Sequence, residues 1–133
     1  MPTFDVNWLA VGAATVWMMV LGSLWYGPIF GKTWMAALGK TREELGSQTI
    51  ALVISIAGAL VAALVLAVVL GGVGAGSVAK GIAWGILLAV GFVVTSTMTN
   101  AAYEAKSSTI TTLFAAYQII GLAGMGAIIT SLG

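Results

Sequence analysis

Apolar positions in this chain neither alternate nor cluster on one side of a helix; they run on. Four stretches, roughly Asn7–Tyr26, Thr49–Val73, Lys80–Asn100 and Thr109–Leu132, are apolar almost throughout. Each is about 20 residues or longer, which is what a helix needs to cross the hydrocarbon of a bilayer. The pattern predicts an all-α integral membrane protein. Its single domain, residues 1–133, carries four transmembrane helices over about 6–27, 48–72, 78–102 and 108–132.

The breaks between the runs predict how the spans are joined. Asp5 is placed to cap the first helix. Trp8 at its start and Trp25 and Tyr26 at its end occupy the levels of an aromatic belt. Gly27-Pro28 ends it, because proline offers no amide hydrogen and clashes with the turn before it. Phe30, Trp34, Ala37 and Leu38 then recur at helical spacing, with Lys32, Thr33 and Lys40 flanking or opposing them. That predicts an interfacial helix over about 29–39, apolar side toward lipid. Thr41 and Glu44 have capping-box spacing, and the helix they open is expected to continue into the second span. The glycines from Gly71 to Gly76 predict a flexible turn, with Ser77 capping the third span.

Few polar groups interrupt the spans. The second has only Ser55 and Gly58, and nothing in it is expected to bind a polar solute. The third is different: Gly85, Ala89, Val93, Ser96, Thr97, Asn100 and Glu104 fall on one helical face, first small and then polar. Gln118 lies in the middle of the fourth, on a stripe with Thr111, Phe114 and Met125. An unpaired amide is costly in lipid, so these groups face other helices. Ser96, Thr97, Asn100, Glu104 and Gln118 then either line a route for a small solute or lock helices together by hydrogen bonds. Glu104 is expected to pair with Lys32 or Arg42. Trp25, Tyr26, Phe30 and Trp34, with Lys32, either anchor the chain at the interface or form a pocket there. The small pairs Gly58/Ala62, Gly81/Gly85 and Gly121/Gly124 offer more close-approach surface than one bundle uses. That predicts a homo-oligomer, with a two-fold dimer the commonest closure.

Composition sharpens the picture by exclusion. Hydrophobic residues make up 60% and charged residues 7% of the chain, against about 25% charged in a soluble domain. A net charge of +1 gives no electrostatic basis for nucleic-acid capture. There is no cysteine and no histidine, which removes thiol nucleophiles, imidazole metal ligands and Ser-His-Asp chemistry. No cofactor or metal is expected, and no enzyme. No Lys or Arg precedes Lys32, so the first run is read as a retained span rather than a cleavable leader. Lys32, Lys40, Arg42 and Lys106 sit in the first and third connections and Lys80 alone in the second. The positive-inside bias puts connections 28–48 and 101–108 in the cytoplasm of a bacterial cell, with both termini outside the cytoplasmic membrane.

Phe4-Asp5-Val6-Asn7-Trp8, the block Gly22-x-x-Trp25-Tyr26-Gly27-Pro28-x-Phe30-Gly31-Lys32-x-Trp34-Met35, and Thr99-Asn100-x-x-Tyr103-Glu104-x-Lys106 form a recognisable set. Together they resemble the family of small membrane proteins known as domain of unknown function 1761, over the whole chain. Tyr103 stands where that pattern has Phe, and Gly27 where Ser is common. The resemblance implies a multi-span membrane protein and implies no activity. The expected function is therefore a non-enzymatic, homo-oligomeric scaffold or accessory subunit acting through helix and lipid contacts. The alternative is a channel or carrier for a small solute, lined by the polar end of the third span.

Overall fold

The computed structural model describes residues 6–133, so the expected cap Asp5 lies outside the described residues. Asn7 holds the N-cap position: its side-chain oxygen accepts from the amides of Leu9 and Ala10 at 3.0 and 3.3 Å. Helix α1 spans Trp8–Leu24 and passes into a π-helical turn, Trp25–Ile29. There Gly27 leaves the helical region (φ −108°, ψ −105°), which relieves the clash that Pro28 imposes. Interfacial helix α2 follows over Gly31–Leu38 and stops at Gly39, whose φ is +69°. Its half-buried face is Phe30, Trp34, Ala37 and Leu38, and Lys32 and Thr33 are exposed, as the spacing predicts.

Thr41 and Glu44 form the expected capping box, but the helix they open, α3, covers only Arg42–Leu45. It does not run into the second span. Gly46 takes φ +68°, and the chain restarts as α4 over Thr49–Gly72. Ser77 caps α5, Val78–Leu88, through the amide of Lys80 at 3.2 Å. A second π-helical turn, Ala89–Val94, joins α5 to α6, Thr95–Tyr103. Ala105, at φ +53°, closes that span in the left-handed geometry usually given to glycine. Helix α7, Ser108–Leu132, completes the bundle. Four helical stretches are long and apolar enough to cross a membrane: Trp8–Ile29, Thr49–Gly72, Val78–Tyr103 and Ser108–Leu132.

Helix α7 is the post on which the others stand. It packs against α5, α1, α4 and α6. Against α5 the approach is backbone to backbone. A Cβ on Gly81 would strike the Gly126 carbonyl, one on Gly85 the Leu122 carbonyl, and one on Gly126 the Gly81 carbonyl. Against α1 the tie is by side chains reaching main-chain carbonyls. Asn7 donates to Leu132 at 2.9 Å, Trp17 to Gly121 at 3.0 Å and Trp25 to Leu113 at 3.0 Å; Tyr117 donates back to Met18 at 3.1 Å. Such bonds contribute about 0.6 kcal/mol each within a bilayer. Gly121 and Gly124 make room for Met18 and Trp17. Two of the three small-residue pairs therefore serve contacts inside the chain, while Gly58 of the remaining pair has an open neighbourhood.

Replacing Gly81 or Gly85 by Leu drives a side chain into facing backbone and should destabilise the bundle by about 1–3 kcal/mol. Gly12→Leu, at a position with nothing within 4 Å, should change it by less than about 0.5 kcal/mol. SDS-driven unfolding in micelles measures both.

A candidate binding cavity at one end of the bundle

The tight packing does not extend over the whole bundle. On α4 the buried positions are Ala59, Ala63, Leu66 and Leu70, while every residue from Thr49 to Gly58 is exposed. Helix α4 leans on α1, less on α7, and only lightly on the third span. On the third span, Gly81, Gly85 and Ala89 are buried against α7, but beyond the π turn only Ala101 is. A π turn carries one residue more than an α turn, so it resets the face that follows it. The two π turns and the free half of α4 leave a cavity of ≈ 820 Å³ between all four spans.

Its lining comes from every span. Helix α1 and its π turn give Met19, Gly22, Ser23 and Tyr26, and α2 gives Trp34. Helix α4 and its approach give Gln48, Leu52 and Ser55; α6 gives Ser96, Thr97, Asn100 and Ala101. Lys106 stands at the rim, and α7 supplies Ile110, Thr111, Phe114 and Tyr117. From Ile110 to Tyr117 is two helical turns, so the cavity reaches about 10 Å along α7. Its end is the one that carries the first and third connections. Gly22 is required at its inner limit, where a Cβ would stand 2.9 Å from the Tyr117 hydroxyl.

Hydrogen bonding among the lining residues is uneven. Ser23 donates to Met19 at 3.0 Å, Ser55 to Ala51 at 2.8 Å, Ser96 to Phe92 at 2.6 Å and Thr111 to Ser107 at 3.0 Å, each to the carbonyl one turn back. Tyr26 meets Trp34 edge-on at 5.1 Å between ring centres and Tyr117 at 5.7 Å; Phe114 lies 6.4 Å from Tyr117. These rings form one continuous aromatic wall.

Below this cavity the bundle is dry. Ala14, Met18, Ala63, Leu66, Leu122 and Met125 are buried together, and Met125 has no exposed surface. A smaller cavity of ≈ 470 Å³ opens at the opposite end, beside Asn7, Leu70, Gly74, Ile129 and Thr130.

The expected polar face is divided by this geometry. Ser96, Thr97 and Asn100 line the cavity. Gln118 does not: it is half-buried on another side of α7 and bonds to no described side chain or backbone group. Glu104 also lies outside the lining. It pairs with Lys106 at 3.1 Å, not with Lys32, because the turn at Ala105 brings its near neighbour within reach. The aromatic set is divided too. Trp25 is buried, donates to the Leu113 carbonyl and meets the Phe30 ring at a tilt with 4.6 Å between centres, so it ties the end of α1 to α7. Tyr26 and Trp34 line the cavity, and Lys32 is exposed and apart from it. The second span does contribute polar lining, through Ser55. Its position as a hydroxyl inside a run that is aliphatic after Thr49 was the available signal. Ser23 and Tyr117 carried no such signal, since their places depend on how α1 meets α7. Among the described residues no three Asp, Glu, His or Cys side chains gather as a metal site.

The family described as "Protein of unknown function (DUF1761)" matches residues 9–130. No curated protein and no solved structure matches the chain.

Deleting Gly91 should turn the second π turn into α-helix and rotate α6 by about 100°. Each later residue then takes its predecessor's place, so Met98 replaces Thr97 in the lining. The chain has no native cysteine. A single Asn100→Cys should react with a water-soluble maleimide in the parent and lose that reactivity in the deletion, while Met98→Cys gains it.

Proposed function

This chain belongs to DUF1761, a family of unknown function, and on that premise we propose that it binds a small molecule in the cavity and works by binding or passing that molecule rather than by catalysis. The observation that carries the proposal is the ≈ 820 Å³ space walled by four spans, with Ser96, Thr97 and Asn100 facing into it. Polar groups at membrane depth mark ligand sites and pathways when they face a cavity. Ligand sites in helical proteins lie between helices and combine apolar walls with a few convergent polar groups. The lining fits that description. The dry middle of the bundle supports a one-ended site over an open pore. The positive-inside bias supports a mouth on the cytoplasmic face, because Lys32, Lys40 and Lys106 share its end.

Action as a homo-oligomeric scaffold is the second reading. Its support is Gly58, which faces open space on the lipid-exposed half of α4 and offers a second copy a close approach.

Extraction of the protein from its membrane in mild detergent, followed by native mass spectrometry, tests both readings. The expected result is a non-covalent adduct in the parent and in Gln118→Ala, and its loss in Ser96→Trp, where an indole fills the cavity. A bare parent, or an adduct that survives Ser96→Trp, overturns the binding reading. A dimer mass abolished by Gly58→Leu would favour the scaffold.

A further inference from the structure

We propose that the cavity selects an uncharged ring compound bearing N–H or O–H groups; this rests on the reading that the cavity is a binding site. The inference begins with protons. A serine hydroxyl has one hydrogen and two lone pairs. Ser23, Ser55 and Ser96 have each committed that hydrogen to a carbonyl of their own helix, at 3.0, 2.8 and 2.6 Å. Thr111 does the same at 3.0 Å, and the Tyr117 phenol gives its hydrogen to Met18 at 3.1 Å. Five lining hydroxyls, drawn from three of the spans and the π-bulged third, therefore offer the cavity oxygen lone pairs and no hydrogen. A ligand that donates hydrogen bonds completes them without breaking a bond already made. One that only accepts finds fewer partners, the hydroxyls of Tyr26 and Thr97, the Trp34 indole N–H and the Asn100 amide, and elsewhere competes with the helices for those protons.

Charge narrows the class further. Among the described residues the one charged side chain in the lining is Lys106, which stands half-exposed at the rim and is already paired with Glu104. Among those residues no carboxylate lines the cavity. An organic cation would be drawn to the aromatic faces, but it would pass Lys106 and find no counter-charge. An anion would be held at the rim, because none of the described residues places a cation deeper. Either ion would pay for desolvation without a partner. Shape gives the last term. The wall of Trp34, Tyr26, Tyr117 and Phe114 presents ring faces and edges, and a planar ring packs on such a wall better than a flexible chain does. Asn100, which has both donor and acceptor, is free to read one further polar group.

The test uses full-length protein in lipid nanodiscs and equilibrium dialysis, with empty nanodiscs as the blank for partition into lipid. Three probes are compared: indole, 1-methylindole, which lacks the N–H, and indole-3-acetate, which adds a negative charge. Saturable one-to-one binding of indole is expected, about 5-fold tighter than that of 1-methylindole, the worth of one hydrogen bond. Indole-3-acetate should bind more weakly than either. The combined Ser23→Ala, Ser55→Ala and Ser96→Ala variant removes only oxygens at good helical positions. In it, the preference for indole over 1-methylindole should shrink. Equal binding of indole and 1-methylindole in the parent, both lost in Ser96→Trp, overturns the selectivity and leaves the binding site standing. Tightest binding of indole-3-acetate overturns it as well. Absence of saturable binding by all three overturns the ligand class, and the native adduct then decides by itself whether the cavity binds anything.

Discussion

Apolar side chains gain nothing by leaving lipid for one another, because both environments are hydrocarbon. What holds helices together in a bilayer is close fit and hydrogen bonding. Helix α7 supplies both, on different sides. Toward α5 it offers Gly126 and the bare backbone near Leu122, so that Gly81 and Gly85 bring two main chains into contact. Toward α1 it offers carbonyls that accept from Trp17 and Trp25, and a phenol that donates back. The approach with α5 is a matter of shape and that with α1 of polar pairing, and each fixes the height of one helix on the other. The fold follows from these two seams.

The cavity lies where the seams end. Past Gly85 the third span has no glycine facing α7, and a π turn moves α6 off the line of α5. On α4 the small and branched residues that meet the bundle begin at Ala59, so the first two turns have only lipid or the cavity beside them. Polar side chains collect in the space this leaves. Each serine there is already bonded to its own helix, which makes it tolerable beside lipid and also leaves its oxygen facing inward.

Much of this was legible in the sequence where the cause is local. Span limits follow from length and hydropathy, and the caps at Thr41 and Ser77 follow from a few neighbouring residues. The sense of a polar face on the third span was legible too, and Ser96, Thr97 and Asn100 do face the cavity. What was not legible depends on the partner helix. Asn100 and Gln118 carry the same amide, and the rotation and height of α6 and α7 separate the one that lines the cavity from the one that does not. The π turn over Ala89–Val94 has no composition that announces it. Glu104 shows the same limit in reverse. Its partner is the neighbouring Lys106 and not a distant cation, and the left-handed alanine at position 105 is not foreseen by residue type.

The central place of α7 has a consequence for how the molecule is made. Chains are synthesised from the N-terminus, and α7 emerges after the three spans that pack on it. Helices α1 and α4 can meet each other first, but the third span has only slight contact with α4 and docks mainly on a helix not yet translated. Until then Gly81 and Gly85 face lipid, as do the carbonyl-seeking indoles of Trp17 and Trp25. Assembly of this bundle is therefore a late event, completed when α7 enters the membrane and the waiting helices close around it.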